Sequence, residues 1–565
     1  MVVVLLISLV LAVTWTPVTA GLLIRRRKGQ NQHELEQGGP VLRRLIDAYA
    51  WVMSALLRIP AITTVGMAMV AVGGVWMYGQ LESDFLPAQD EGAFVIDYYS
   101  RPGTSLTETD RMLRHVEQIL HETPEVEGFS RRTGARLALA IAEANTSDFL
   151  VKLKRKRDRN TEAVIEELRA RCNEAEPALS FEFPGVLGDL IGDLTWSPKP
   201  VEIKIFSTDT ALLKAKAEEI AKAIEAIPGV VDVEDGLVVA GPSMRLKTDL
   251  AVVARIGMTP RMLGTEIQST MLGTVSSYVL QGDRTYNVRV LSAPESHERE
   301  RSLVTMPIHS MTGAKLTVQD VVQIEHEPGL LEMHREDLRQ LVAVSARFEG
   351  IDLGHGMAAI KESLAKSVTL PPEATIEFGG LYQQQQESFR NLAFVLIAAL
   401  VLVYIVLILE FRTFLAPLAI WMGALLALVG VVGGLWVTGT TLNIVSILGA
   451  IIAMGIVHKN GILMFDYVEH LRAEGLPLKE AMVQSGRRRL RPVLMTSLTT
   501  FLGLLPLAYG IGAGADMLRP MAIAVIGSLC MSLLLSLVAT PVFYYLLVRL
   551  LRLDTTGTEE PPRNK

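Results

Sequence analysis

Leu442–Tyr467 reads LNIVSILGAIIAMGIVHKNGILMFDY, an apolar run with Lys459 deep inside it. A lysine at the centre of a membrane helix costs roughly 2.5–3.5 kcal/mol on insertion scales, so the surroundings must return that energy. Snorkelling to the interface is the bland account. The nearer end of the run lies about eight residues away, roughly 12 Å at 1.5 Å per residue, which is beyond comfortable reach of the side chain. The run therefore reads as a spanning helix and Lys459 as a functional group. Such an ammonium holds or releases its proton according to its desolvation and to the approach of a carboxylate.

Working outward, the rest of the chain has the composition of a membrane protein with a large aqueous part. Half of its 565 residues are hydrophobic, a fifth are charged, and the net charge is −6; the mean hydropathy is +0.32. Apolar windows at 2–24, 61–80, 391–410, 414–437, 443–466, 492–511 and 519–548 are each near or above the ~20 residues a spanning helix needs. The reading is thus an α-helical membrane bundle of about seven spans. Basic residues flank one side of these windows: Arg25 to Lys28, Arg412, Arg487 to Arg491, Arg549 and Arg552. With all of them in the cytoplasm, the block 81–388, the turn Thr438–Thr441 and the loop Gly510–Arg519 lie outside, in the periplasm of a bacterium with two membranes. Cys172 falls in the external block and Cys530 in the last span, so no disulfide is expected. The first window has no basic residue before it, which separates it from a signal peptide, and its abrupt start raises the expectation of further sequence upstream. Gly39–Pro60 has apolar residues at helical spacing and reads as an interfacial helix; Leu478–Arg487 reads as a shorter one.

The external block repeats a strand–helix–strand grammar four times. The copies are Ala93–Tyr99 with Ser105–Glu122 and a strand from Val126; Asp148–Leu153 with Thr161–Asn173 and Leu179–Phe183; Val201–Phe206 with Thr210–Ala226 and Val230–Val233; and Leu341–Phe348 with His355–Lys366 and Ala374–Phe378. They predict two pairs of split βαβ (ferredoxin-like) units, each an α+β sandwich on a mixed sheet. A docking-like insert at 240–335 interrupts the second pair, with a helix at Thr259–Leu272 and a hairpin at Tyr278–Leu291. The organisation is 1–24 span, 25–60 cytoplasmic segment with interfacial helix, 61–80 span, 81–194 first pair, 195–239 start of the second pair, 240–335 insert, 336–388 end of the second pair, 389–551 five-helix bundle and 552–565 cytoplasmic tail. Between the pairs, Phe183-Pro184-Gly185-Val186-Leu187-Gly188-Asp189-Leu190 and onward to Leu194 interleaves glycine and proline with apolar residues. It reads as a mobile loop with a greasy face or as a core crossover.

Phe85-Leu86-Pro87, Asp90-Glu91-Gly92, Pro102-Gly103-Thr104-Ser105, Lys459-Asn460-Gly461-Ile462-Leu463, Arg489-Leu490-Arg491-Pro492-Val493-Leu494-Met495-Thr496-Ser497 and Gly512-Ala513-Gly514-Ala515 stand at matching places in this layout. With them, essentially the whole chain resembles the C-terminal half of a resistance-nodulation-division (RND) inner-membrane efflux transporter. The resemblance implies a proton-driven pump working as a trimer, with a periplasmic adaptor and an outer-membrane channel as partners. It implies Lys459, Arg489 and Thr496 as the proton relay, and an N-terminal half, elsewhere, that supplies the relay aspartates. Asp466 lies seven residues beyond Lys459, about 10 Å along the helix and too far for a direct pair. His458, turned about 100° from Lys459, reads as a neutral imidazole bonded to a neighbouring helix or as a titrating group. Asn460, His458 and Asp466 are auxiliary candidates, and Phe183, Pro184, Gly185, Leu187 and Leu190 are candidates for a substrate-path loop.

For the cargo, the methionine cluster of copper and silver pumps has no counterpart in Asn145–Asp148 or Phe183–Leu194, and His115 and His121 fall on different helix faces. The Lys459-Asn460 pair resembles the amphiphile-exporting (multidrug) branch, while Asp90-Glu91-Gly92 is shared with metal exporters. The expectation is export of amphiphilic organic compounds; the alternatives are a heavy-metal cation efflux subunit or an accessory or inactive fragment. No phosphate-binding glycine loop, nucleophile elbow or zinc-ligand spacing is found, so neither enzymatic chemistry nor a cofactor is expected, and no nucleic-acid partner is called for.

Overall fold

The computed structural model describes residues 7, 10–23, 40–87, 89–133, 145–195, 199–237, 241, 243–290, 303–309, 312–313, 315–327, 332–512 and 514–551. The expected basic cluster Arg25–Lys28, Arg552 and the tail 552–565 lie outside them. Two units divide the chain. One comprises Met1–Gln89, Gly350–Ala358 and Tyr382–Lys565, the other Asp90–Glu349 and Ala359–Leu381.

The helical unit opens with α1 (Trp15–Leu23), α2 (Pro40–Leu56) and α3 (Pro60–Tyr78). Pro60 stands at the first position of α3, where its lack of an N–H costs nothing. In α2, Tyr49 and Met53 are buried, while Trp51 on another face is 74% exposed, the division an amphipathic helix requires.

The other unit holds the repeats. Strand β1 (Ala93–Ser100), helix α4 (Leu106–Glu122), β2 (Val126–Arg131), β3 (Thr146–Leu153), α5 (Thr161–Ala175) and β4 (Leu179–Glu182) build the first sheet. Ser105 and Asn160 cap the two helices by accepting hydrogen bonds from Glu108 and Ala163. The strand order is β2-β3-β1-β4 and every pairing is antiparallel. The expected mixed sheet is corrected for a topological reason: β3 lies between β1 and β2, so the two strands that flank α4 never pair. Alternate residues Phe94, Ile96 and Tyr98 meet Leu113, Val116 and Leu120 of α4 in a sealed core, each large side chain contributing roughly 1.5–3 kcal/mol. The stretch after β4, expected as a mobile loop or a core crossover, forms α6 (Val186–Thr195) from its fourth residue.

The second sheet begins with β5 (Val201–Phe206), α7 (Thr210–Glu225) and β6 (Val230–Glu234). The insert follows: β7 (Ser243–Thr248), α8 (Leu250–Arg255), α9 (Pro260–Leu272), the hairpin β8 (Thr274–Gln281) and β9 (Arg284–Val290), β10 (Pro307–His309), β11 (Lys315–Thr317), α10 (Val318–Val321) and β12 (Val322–Glu327). It has its own core around Val253, Leu263, Ile308 and Val321, and β12 pairs with β7. Every residue of the β8–β9 hairpin is exposed. The chain then returns through β13 (His334–Glu336), β14 (Arg339–Phe348), α11 (Leu353–Ser367) and β15 (Thr375–Gly379). Strands β6, β14, β5 and β15 repeat the order of the first sheet, again antiparallel, and β13 pairs with the start of β14.

The helical unit resumes with α12 (Gly380–Phe411), α13 (Leu415–Thr438), α14 (Ile444–Ala473), α15 (Leu478–Ala508), α16 (Ala515–Leu534), a π turn at Leu535–Ala539 and α17 (Thr540–Leu550). Among the described residues six helices are long and apolar enough to cross a membrane: Pro60–Tyr78, Gly380–Phe411, Leu415–Thr438, Ile444–Ala473, Leu478–Ala508 and Ala515–Leu550. The first of the seven expected spans lies partly outside the described residues. Leu478–Arg487 is not a separate surface helix: α15 runs unbroken through Pro492, and α16 starts inside the expected loop Gly510–Arg519. Helices α13 and α16 pack backbone to backbone, since a Cβ on Gly430 would stand 2.4 Å from the Gly527 carbonyl oxygen and one on Gly527 2.2 Å from that of Gly430. Small residues at such crossings are how membrane helices gain packing without a hydrophobic drive between them.

Candidate functional site

The site grows from α14. Its start is set by Asn443, whose side chain accepts from the Ser446 N–H while the Ser446 hydroxyl accepts from the Asn443 N–H, a reciprocal cap that pins the first turn. Further along, Gly461 lets α14 approach α13: a Cβ there would lie 2.8 Å from Ile420. The Ser485 hydroxyl donates to the Met464 carbonyl at 2.8 Å and ties α15 to α14. Arg489 of α15 stands 3.6 Å from Asp466 and 5.1 Å from the Tyr467 ring centroid.

No hydrogen bond or ion pair joins the expected relay residues Lys459, Arg489 and Thr496 to one another among the described residues. Asp466, expected to lie too far from Lys459 for a direct pair, pairs with Arg489 instead. Lys459 is exposed on the surface of α14 rather than buried. It lines an apolar groove of about 390 Å³ whose walls include Leu402, Val406 and Leu407 of α12 and Gly455, Ile462 and Leu463 of α14. No hydrogen bond or ion pair of Lys459 is found among the described residues. The Thr496 hydroxyl donates within its own helix to Val493 at 3.1 Å.

His458 and Asn460 flank Lys459 and both are buried, 3% and 2% exposed. The His458 Nδ1 lies 2.7 Å from the Met454 carbonyl one turn back, so its partner is its own helix and not a neighbouring one. Nε2 of His458 and Nδ2 of Asn460 have no partner among the described residues.

The substrate-path candidates come out differently from one another. Phe183 sits in the core of the first sheet, 5% exposed, and Pro184 accepts a hydrogen bond from Val95 through its carbonyl, so the start of this stretch is the core crossover. Gly185 lies against the Glu91 carboxylate, and Glu91 accepts from the Leu187 N–H at 2.9 Å, holding the first turn of α6. Leu190 is 44% exposed. Asp90 is bonded to Thr161 and Arg157. His115 pairs with Glu176 and His121 stacks on Phe129, so the two share no site. Among the described residues no cluster of three or more His, Cys, Asp or Glu is placed to hold a metal ion. Cys172 is buried, which pushes its thiol up to about 12. A cluster that spacing did not reveal joins Glu182, Lys199 and Glu234. The one signal in the strands is that charged residues end β4 and β6, next to otherwise apolar positions.

Helices long and apolar enough to cross a membrane are interrupted by paired α/β sheets, and residues 1–548 match the model of the AcrB/AcrD/AcrF family. The chain belongs to that family. It is 30% identical over 98% of its length to the cobalt-zinc-cadmium resistance protein CzcA of Cupriavidus metallidurans, covering 53% of that protein. It is 25% identical over 96% of its length to the multidrug resistance protein MdtC of Yersinia pestis, again covering 53%. Among solved structures, it superposes on a heavy metal efflux pump with a TM-score of 0.80 and 26% identity, over 90% of this chain and 52% of the other. The chain therefore spans about half the length of the relatives it matches.

Proposed function

We propose that this chain supplies the Lys459-bearing part of a proton-driven RND permease whose cargo is a heavy-metal cation. The observation that carries the reading is Lys459 on the wall of an apolar groove with no counter-charge among the described residues. A cation placed so in a bilayer needs a carboxylate, and in the working transporter that carboxylate comes from residues outside this sequence. Proton uptake by the carboxylate dissolves the pair. Breaking such a pair typically costs about 3–5 kcal/mol, enough to move helices between two packings.

The choice of cargo departs from the amphiphile expectation and follows the relatives, since CzcA and the superposed pump carry metal names. The amphiphile reading keeps the MdtC match and the Lys459-Asn460 pair in its favour. In the same proposal the α/β unit is periplasmic, and the exposed β8–β9 hairpin, with Tyr278, Leu280 and Tyr286 on it, docks on a second copy within a trimer served by an adaptor and an outer-membrane channel. The test is transport by inverted membrane vesicles holding the complete transporter, with zinc or cobalt ions compared against a cationic dye under an imposed pH gradient. Metal movement that collapses with the gradient supports the reading. Dye movement alone returns the cargo to the amphiphile class, and neither, with the protein assembled, marks an accessory or inactive chain.

A further inference from the structure

Lys199 sits just before β5 and reaches two carboxylates, Glu182 at the end of β4 and Glu234 at the end of β6. Glu182 belongs to the first sheet and Glu234 to the second, so one half-buried ammonium bridges both. Arg347 of β14 adds a second cation 3.7 Å from Glu182. Beside them, Arg169 of α5 donates to Asp232 at 3.1 Å and to Glu349 beyond β14. Asp232 holds a left-handed backbone, φ 50°, a conformation that costs energy for a non-glycine residue. The return is a carboxylate that meets both Arg169 and the Phe183 N–H. Glu202 of β5, 3.8 Å from Lys204, also feels the charge of Lys199.

We propose that Glu182, Glu234 and Lys199 form a proton-binding latch, which holds the two sheets together in acid and releases them toward neutral pH. Glu182 faces both Lys199 and Arg347; despite burial, these cations hold it below the usual carboxylate range and keep it ionised. Among the described residues Glu234 ion-pairs with Lys199, and it has Glu182 beside it. Burial first, then that carboxylate, push it up to about 7 from an ordinary 4.5. The closed arrangement is therefore favoured fully below 4.5, where Glu234 is protonated open or closed, and loses that advantage as pH rises through about 7. Across this window opening gains about tenfold per pH unit. The latch is independent of what the transporter carries.

The test uses the full chain in lipid nanodiscs, with Cys530→Ser and spin labels on Gln118→Cys in α4 and Lys214→Cys in α7. The wild-type background shows a longer inter-label distance at pH 8 than at pH 5, and Glu234→Gln, neutral throughout, keeps the short distance at both. A wild-type distance that ignores pH, or a Glu234→Gln variant that follows the wild type, overturns the proposal. Should Glu234→Gln fail to accumulate, Glu234→Asp retains an acid, so its response persists with a displaced midpoint; an undisplaced midpoint overturns the assignment to Glu234.

Discussion

Two lysines show how differently the two units treat a costly charge. In the α/β unit Lys199 is enclosed and carries its own answer, Glu182 and Glu234 from two sheets. In the helical unit Lys459 faces a groove of leucine, valine, isoleucine and glycine, with no answering carboxylate among the described residues. An enclosed ion pair tolerates removal of neither partner, so the first arrangement is self-contained and a single proton can switch it. The second is open-ended. It stabilises nothing by itself and acquires a role only when a carboxylate arrives.

The contrast orders the expected effects. Lys199→Met removes the cation that bridges Glu182 and Glu234, leaving buried Glu182 with Arg347 alone, and should cost the α/β unit about 3–5 kcal/mol, read as a lowered denaturation midpoint; an unchanged midpoint would remove the ion-pair cluster from the account. Gly527→Val drives a side chain into the Gly430 backbone. The overpacking should cost about 1–3 kcal/mol, seen as lower thermal stability of the detergent-solubilised protein. His458→Asn disturbs one hydrogen bond to Met454, worth about 0.5–1.5 kcal/mol, and should leave transport nearly intact. Arg489→Gln should be smallest in stability, about 0–1 kcal/mol, because Asp466 is 67% exposed on its side of the pair. A large loss there would mean that Arg489, like Lys199, belongs to an enclosed network.

The α/β unit was the more legible half of the sequence. Strand alternation such as Ala93–Ser100 and side-chain caps such as Ser105 and Asn160 are local signals, and the observed elements start and end within a few residues of the expected ones. What local signals could not carry was pairing direction, which depends on β3 lying between β1 and β2. Nor could they show that charges far apart in sequence, at Glu182 and Glu234, converge on Lys199. The glycines of Phe183–Leu194 read as loop, yet the chain forms a helix from Val186, its first turn held by Glu91 from far upstream. In the helical unit hydropathy located the long apolar helices, but the basic run Arg487–Arg491 masked the continuity of α15. Lys459 was visible as an anomaly of composition; its place on an open groove, and the pairing of Asp466 with Arg489, depended on how the helices pack.

The central claim is that Lys459 is the cation against which the transporter's proton-binding carboxylate works. Its most direct test is Lys459→Met in the complete transporter, assayed as cargo movement into inverted vesicles under an imposed pH gradient, with protein level and thermal stability measured alongside. Because Lys459 makes no ion pair or hydrogen bond among the described residues, the account predicts normal accumulation and stability of this chain, with gradient-driven transport abolished. Undiminished transport by Lys459→Met at normal protein level would contradict it.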